Sequence, residues 1–298
     1  MPTLAEFSVR YLDEHAVPHK KARTVLEDRR NLKKHILPAL GRVRIDQLTR
    51  ADVLRFHNAR RAHGTLANRL LALLSHMCTM AEKWALRPDG SNPCRHVPKF
   101  KESKRQRFLS EAEIGRLAVA LTNAEKENGF AVAAIRLALF VGARRNEVLT
   151  LRWEDVHLAR GVLELPDSKT GAKPVYLNAP AKQLLSRLPR VSGNAHVFPG
   201  RIDGAHLVNI DKLWRSIRDE AEIPDVRLHD LRHSFASVLV SGGASLSLIG
   251  GLLGHTKPST TQRYAHLSSD PLKAAAERAG EVITAAMKRG QKKRKASR

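Results

Sequence analysis

Arg144, Lys169, His229, Arg232, His255 and Tyr264 form a spaced series of cationic side chains closed by a phenol. Four of them lie close together: His229 and Arg232 in Leu228-His-Asp-Leu-Arg-His-Ser-Phe235, His255 in Leu253-Gly-His255, and Tyr264 nine residues further on. Two arginines, two histidines, a lysine and a phenol suit attack on a phosphodiester, with the cations holding the charge that builds on phosphorus. A free phenol has a pKa near 10, so about one in a thousand is ionised at pH 7. Such an attack needs both a proton acceptor and strong charge stabilisation. No carboxylate pair, metal-ligand cluster or Gly-x-x-x-x-Gly-Lys-[Ser/Thr] loop in the sequence competes with this chemistry.

The elements around these residues are expected to be mostly helical. His229 and Arg232, three residues apart at the start of a predicted helix 229–241, share one face. Leu231, Phe235, Val238 and Leu239 are left to fill a core, and the free N–H groups of the helix start favour an anion. Arg144 falls at the break that Gly142 makes after a helix over 130–141, and Glu147 at i+3 can orient it by a charge-assisted hydrogen bond. Arg145 reads as a solvent-facing charge and His233 as ordinary surface or packing. Lys169 sits at the tip of a predicted hairpin, with strands over 161–166 and 173–178. Taken singly, His-x-x-Arg is a weak signal more often met as a structural pair, and Lys169 is an ordinary turn lysine.

Further helices are expected over 117–124, 181–188, 207–221 and 245–253, with a capping box at Ser110 and Glu113. The first hundred residues read as a separate helical module. It includes a helix over 24–36 stopped at Pro38-Ala-Leu-Gly41, a helix capped by Thr49, and a long amphipathic run from Leu66 to Trp84. Between the modules, residues 87–106 carry Pro88, Gly90, Pro93 and Pro98 followed by clustered Lys and Arg, the texture of a basic linker. The fold class is therefore mainly α: a helical N-terminal domain (1–86), the linker (87–106), and a mixed helical domain with a small antiparallel β element (107–287). Residues 288–298, with seven Lys or Arg, read as a disordered basic tail.

The 298 residues carry 52 Lys and Arg against 29 Asp and Glu, a net charge of +23. Residues 1–100 alone hold 19 basic and 9 acidic residues, so both modules are basic and both suit a polyanion, above all nucleic acid. Two cysteines, Cys78 and Cys94, exclude a disulfide framework and suit a reducing compartment. No secretory signal pattern and no apolar run of membrane-spanning length is present, so a cytoplasmic location is expected.

Taken in order, these motifs resemble those of the tyrosine recombinases (the phage integrase family). The resemblance rests on Gly142-x-Arg144-x-x-Glu147 with Leu151-x-Trp153-x-Asp155, on Lys169-Thr-Gly171, and on His229-x-Leu231-Arg232-His233-x-Phe235-Ala236. Leu253-Gly-His255 and Thr260-Thr-x-x-Tyr264 complete it, and the module before Lys99 is similar to the family's core-binding domain. Val141 departs from the threonine common before the glycine, and no arm-binding domain of the larger phage integrases is expected ahead of the core-binding module.

The resemblance implies that Tyr264 attacks a DNA phosphodiester to give a 3′-phosphotyrosine and a free 5′-hydroxyl. Arg144, Arg232 and His255 would hold the non-bridging oxygens, His229 would take the phenol proton, and Lys169 would protonate the leaving oxygen. Glu147 is assigned a supporting role. No ATP, metal or other cofactor is implied. The implied partners are double-stranded DNA, a homotetramer on paired recombination sites and accessory DNA-bending proteins. The segment 271–287 reads as an Ala-rich helix docked on a neighbouring subunit or on its own domain. Two rival readings share the composition: a type IB topoisomerase-like enzyme and a non-catalytic DNA-binding relative.

Overall fold

The computed structural model describes residues 1–102, 105–165, 173–267, 276–277 and 279–287. Two compact units divide between Arg105 and Gln106.

In the N-terminal unit, α1 (Leu4–Arg10) starts on a capping box, Thr3 with Glu6, and runs on through a π-helical stretch Tyr11–Ala16 to His19. Helix α2 (Ala22–Asn31) likewise continues through a π stretch, Leu32–Ile36, into Leu37–Leu40. The helix therefore passes through Pro38, which the sequence suggested as its stop. The widened turn ahead of it hydrogen-bonds i to i+5 and leaves Pro38 at the start of a fresh segment, where its missing N–H is not needed. Helix α3 (Arg50–Asn58) is capped by Thr49 with Asp52, as expected, and α4 (Gly64–Lys83) carries the long apolar face into the core with Leu4, Phe7, Tyr11 and Ile36.

Residues 87–102 differ from a solvated linker, because they fold onto this unit. Buried Arg87 donates to the carbonyls of Ile45 and Leu48, Asn68 Nδ2 donates to the Phe100 carbonyl at 2.9 Å, and the Phe100 ring stacks on His57 at 4.3 Å. Cys94 and Val97 are buried in the same core, beside Cys78. Polar partners spread across a proline-rich stretch can anchor it without any apolar period.

The C-terminal unit opens on α5 (Glu111–Val141), capped by Ser110 and Glu113 as anticipated. The two helices expected here merge into one element, kinked at Asn128 (φ −133°, ψ 38°). After α6 (Arg145–Leu149) comes an antiparallel sheet in the order β1 (Val156–His157), β2 (Val162–Leu165), β3 (Lys173–Tyr176). Leu163 pairs with both Val156 and Val175, and β1 was too short to register as a strand pattern. Pro174 lies on the edge strand, where its missing donor costs nothing.

Helices α7 (Ala179–Arg187), α8 (Asp211–Glu220), α9 (Leu228–Ser241) and α10 (Leu246–Leu253) follow, then α11 (Pro258–Thr261) running into a 3-10 turn, Gln262–Leu267. Helix α8 begins four residues later than expected, because Leu207 is drawn to the Phe198 carbonyl at 2.8 Å. Residues 279–287 are helical, with Val282, Ile283 and Met287 exposed. Among the described residues, no helix is long and apolar enough to cross a membrane.

Candidate active site

The site is assembled on α9, half of whose residues are buried. Asp230 accepts from the Arg227 amide at 2.8 Å and caps the helix start. One turn on, Ser234 accepts from the Leu109 amide at 2.8 Å, tying α9 to the residues that lead into α5. Leu231 is buried as expected and Phe235 and Leu239 are partly buried, whereas Val238 lies on the outward side and is exposed, its place in the core taken by Ala236 and Val240.

Arg232 is 3% exposed, and its guanidinium is clamped between two backbone carbonyls: Nη1 donates to Gly142 O at 2.8 Å and Nη2 to Leu253 O at 2.5 Å. A guanidinium has five N–H groups, so these two bonds fix its plane without using up its donors. Burial pulls its pKa down to about 10, and the nearby Arg144 charge acts in the same direction, so it stays protonated at neutral pH.

Gly142 makes this clamp possible. It closes α5 in the left-handed region (φ +64°), its amide donating to Ala138 O at 3.0 Å. A Cβ here would meet the Phe235 ring at 2.4 Å. The chain turns at once into α6, where Arg144 stands at the N-cap. Its amide donates to Glu147 Oε2 at 2.8 Å and its Nη1 to Glu147 Oε1 at 2.7 Å. One buried carboxylate thus caps α6 and aims the guanidinium, the geometry expected from the i, i+3 spacing. Arg145 is not a free surface charge. Its Nη1 donates to Asp211 Oδ1 at 2.8 Å, joining α6 to α8.

Tyr264 lies in the 3-10 turn, 4% exposed, in a small core with Ala236, Val240, Ile249 and Leu253. Burial raises its pKa, opposed by the charges of Arg232 and Arg263. Its hydroxyl lies 2.6 Å from Nδ1 of His233, which corrects the reading of His233 as mere packing. The signal was available: His233 is one helical turn beyond His229 on the same face, and its ring meets His229 edge-on at 5.0 Å. His229 is solvent-exposed at the helix start, and its pKa is lowered by desolvation first and by the Arg232 charge second, so it is largely neutral and able to accept a proton.

His255 follows the left-handed cap Gly254 at the end of α10, two residues after the carbonyl that holds Arg232. Its Nδ1 pairs with Thr261 Oγ1 at 2.8 Å, which links it to the helix preceding Tyr264. Lys169 lies outside the described residues. The structure thus brings Arg144, Glu147, His229 and Tyr264 each within electrostatic reach of Arg232 and adds His233 beside the phenol. A pair of fixed guanidiniums beside a phenol and two neutral imidazoles can bind a phosphodiester and ionise a hydroxyl next to it.

Comparison with known proteins identifies the family. Residues 107–270 match the phage integrase family, and residues 3–59 match the phage integrase N-terminal SAM-like domain. The chain is 30% identical over 263 residues to a shufflon-specific DNA recombinase of Escherichia coli, covering 84% of this chain and 65% of that protein. It is 34% identical over 161 residues to tyrosine recombinase XerC of Xanthomonas axonopodis pv. citri, covering 52% of this chain and 50% of the relative.

Two solved structures share the fold. A lambda integrase (75-356) dimer bound to a COC′ core site aligns with a TM-score of 0.71 at 18% identity, covering 88% of this chain and 95% of the other. The Tn1549 transposon integrase in complex with circular intermediate DNA aligns with a TM-score of 0.71 at 17% identity, covering 93% and 99%. Because the first match spans the very unit that gathers Arg144, Arg232 and Tyr264, the chain belongs to the phage integrase family.

Proposed function

We propose that this protein is a site-specific DNA recombinase that cuts and rejoins duplex DNA through a 3′-phosphotyrosine intermediate, serving the integration or excision of a mobile element. The observation that carries the reading is the buried phenol of Tyr264 within reach of the clamped Arg232, which in turn lies beside Arg144. Arg144 and Arg232 hold the non-bridging oxygens of the scissile phosphate, and His255 adds a donor. Tyr264 Oη bonds to phosphorus as the P–O5′ bond breaks. The phenol proton passes to His229, and Lys169 supplies a proton to O5′. Glu147 keeps Arg144 in place. The ester retains the energy of the broken bond, so a second 5′-hydroxyl reverses the attack and reseals the strand without ATP.

The relatives named above are recombinases and integrases, and both solved neighbours are in complex with DNA. A lambda integrase tetramer has also been solved on a Holliday junction. By extension, this chain works as a homotetramer on paired sites in the cytoplasm, with both basic units on the duplex and accessory DNA-bending proteins where the sites require them.

The test uses nicked duplexes tiled across the DNA flanking the protein's own gene. The wild-type chain forms a covalent adduct that survives denaturing electrophoresis, and Tyr264→Phe binds the same DNA without forming one. An adduct retained by Tyr264→Phe overturns the assignment. Exchange between paired sites on supercoiled plasmid separates recombination from simple relaxation.

A further inference from the structure

His233 touches the atom that attacks, and which atom of the pair donates follows from the far side of its ring. Nδ1 lies 2.6 Å from the Tyr264 hydroxyl, while Nε2 faces Arg263 Nη1 at 3.5 Å. A guanidinium has donors only. The nitrogen facing it must present a lone pair, so the ring proton resides on Nδ1 and points at the phenol oxygen. The opposite tautomer would set a ring N–H against a guanidinium N–H.

The groups around the ring keep it in this neutral form. His229, Arg232 and Asp230 face it from α9, and Arg263 and Tyr264 from the 3-10 turn. Burial and the surrounding positive charges hold its pKa near 4, with Asp230 as the opposing influence. Across neutral pH it is a fixed donor.

We propose that His233 positions and activates the nucleophile: its Nδ1–H holds the Tyr264 oxygen and stabilises the phenolate as the phenol proton leaves. The inference rests on Tyr264 being the nucleophile. It divides the two histidines by role, in that His229 receives the phenol proton and His233 keeps its own throughout. In the step itself, Oη–P forms and P–O5′ breaks, with the proton balance given above. A donor bonded to the developing anion favours ionisation and offsets part of the cost of burying the phenol.

The test titrates the phenol directly in the full chain labelled with 13C at the tyrosine ring carbon bearing oxygen. The protein has three tyrosines, and the signal lost in Tyr264→Phe identifies Tyr264. His233→Ala is expected to raise the Tyr264 pKa by about one to two units, the worth of a hydrogen bond to a charged group. His233→Asn, whose amide N–H takes the place of Nδ1–H, restores most of the shift. His233→Asp, which can only accept, raises the pKa beyond the alanine value. Adduct formation on the tiled duplexes at pH 7 falls roughly 10- to 100-fold in His233→Ala, and its pH–rate profile moves to higher pH by the shift seen in the titration.

An unshifted or lowered phenol pKa in His233→Ala overturns the proposal. Should that variant not fold, equal pKa values in the Asn and Asp variants overturn it instead. Loss of the adduct in Tyr264→Phe together with an unshifted phenol in His233→Ala removes the role of His233 alone. An adduct retained by Tyr264→Phe removes the nucleophile reading first.

Discussion

Replacing Gly142 by alanine tests how the clamp on Arg232 is built. The backbone there has φ +64°, a conformation that costs an L-residue about 1–2 kcal/mol. The new Cβ would lie 2.4 Å from Phe235 Cδ1 and 3.1 Å from Leu253 Cδ2, well inside ordinary carbon contacts. Overpacking of this kind costs about 1–3 kcal/mol. Against that stands a gain of about 0.4–1 kcal/mol from a less flexible unfolded chain. The net expectation is a loss of roughly 2–4 kcal/mol.

Denaturant unfolding of the C-terminal unit measures this loss, read at Trp153 and Trp214 in a Trp84→Phe background. A double-mutant cycle then separates the two components. With Phe235→Ala already present the ring is gone, and Gly142→Ala should cost only about 1 kcal/mol, the backbone share less the entropy gain. Because the Gly142 carbonyl holds Arg232 Nη1, adduct formation by the folded Gly142→Ala protein should also fall about tenfold or more. A destabilisation below about 0.5 kcal/mol, or an equal penalty with and without the Phe235 ring, would refute the reasoning.

Arg232→Ala removes the partner of two buried carbonyls along with the phosphate ligand. It should cost about 1–3 kcal/mol in stability and on the order of a hundredfold in adduct formation, checked by unfolding and by denaturing gels. Glu113 is held at about 2 by the Arg107 guanidinium, well below the ordinary value of 4.5. Its stabilising contribution is therefore complete above pH 4.5 and is lost as pH falls from there towards 2. Glu113→Gln should flatten the acid limb of the stability curve in that window, which urea midpoints from pH 6 to 2 will show. Ser110→Ala leaves the first turn of α5 without its side-chain acceptor and should lower the C-terminal unit's stability by about 1 kcal/mol in the same unfolding assay.

Much of the local structure was legible because short-range rules governed it. The Thr49 and Ser110 caps, the left-handed end of α5 at Gly142 and the Glu147 bond to Arg144 each depend on residues at most four apart. Elsewhere, the same kind of reading failed wherever a distant partner decided the outcome. Residues 87–102 look like a linker by composition, yet Arg87 finds carbonyls some forty positions earlier in the chain. Arg145 looks like a surface charge, yet Asp211 meets it from another helix. Pro38 looks like a stop, and a π turn absorbed it.

For the site, the sequence alone singled out the candidate side chains and their order, because residue type and spacing are local properties. It also placed His229 and Arg232 on one helical face, but left His233 as surface or packing. Only the tertiary structure decided which histidine meets the phenol. That contact joins residues 31 positions apart through the packing of the 3-10 turn on α9, and no period within either segment encodes it. The same holds for Arg232, whose orientation is set by carbonyls 90 residues before it and 21 after it. A guanidinium's identity is written at one position, but its direction belongs to whatever backbone the fold brings to meet it.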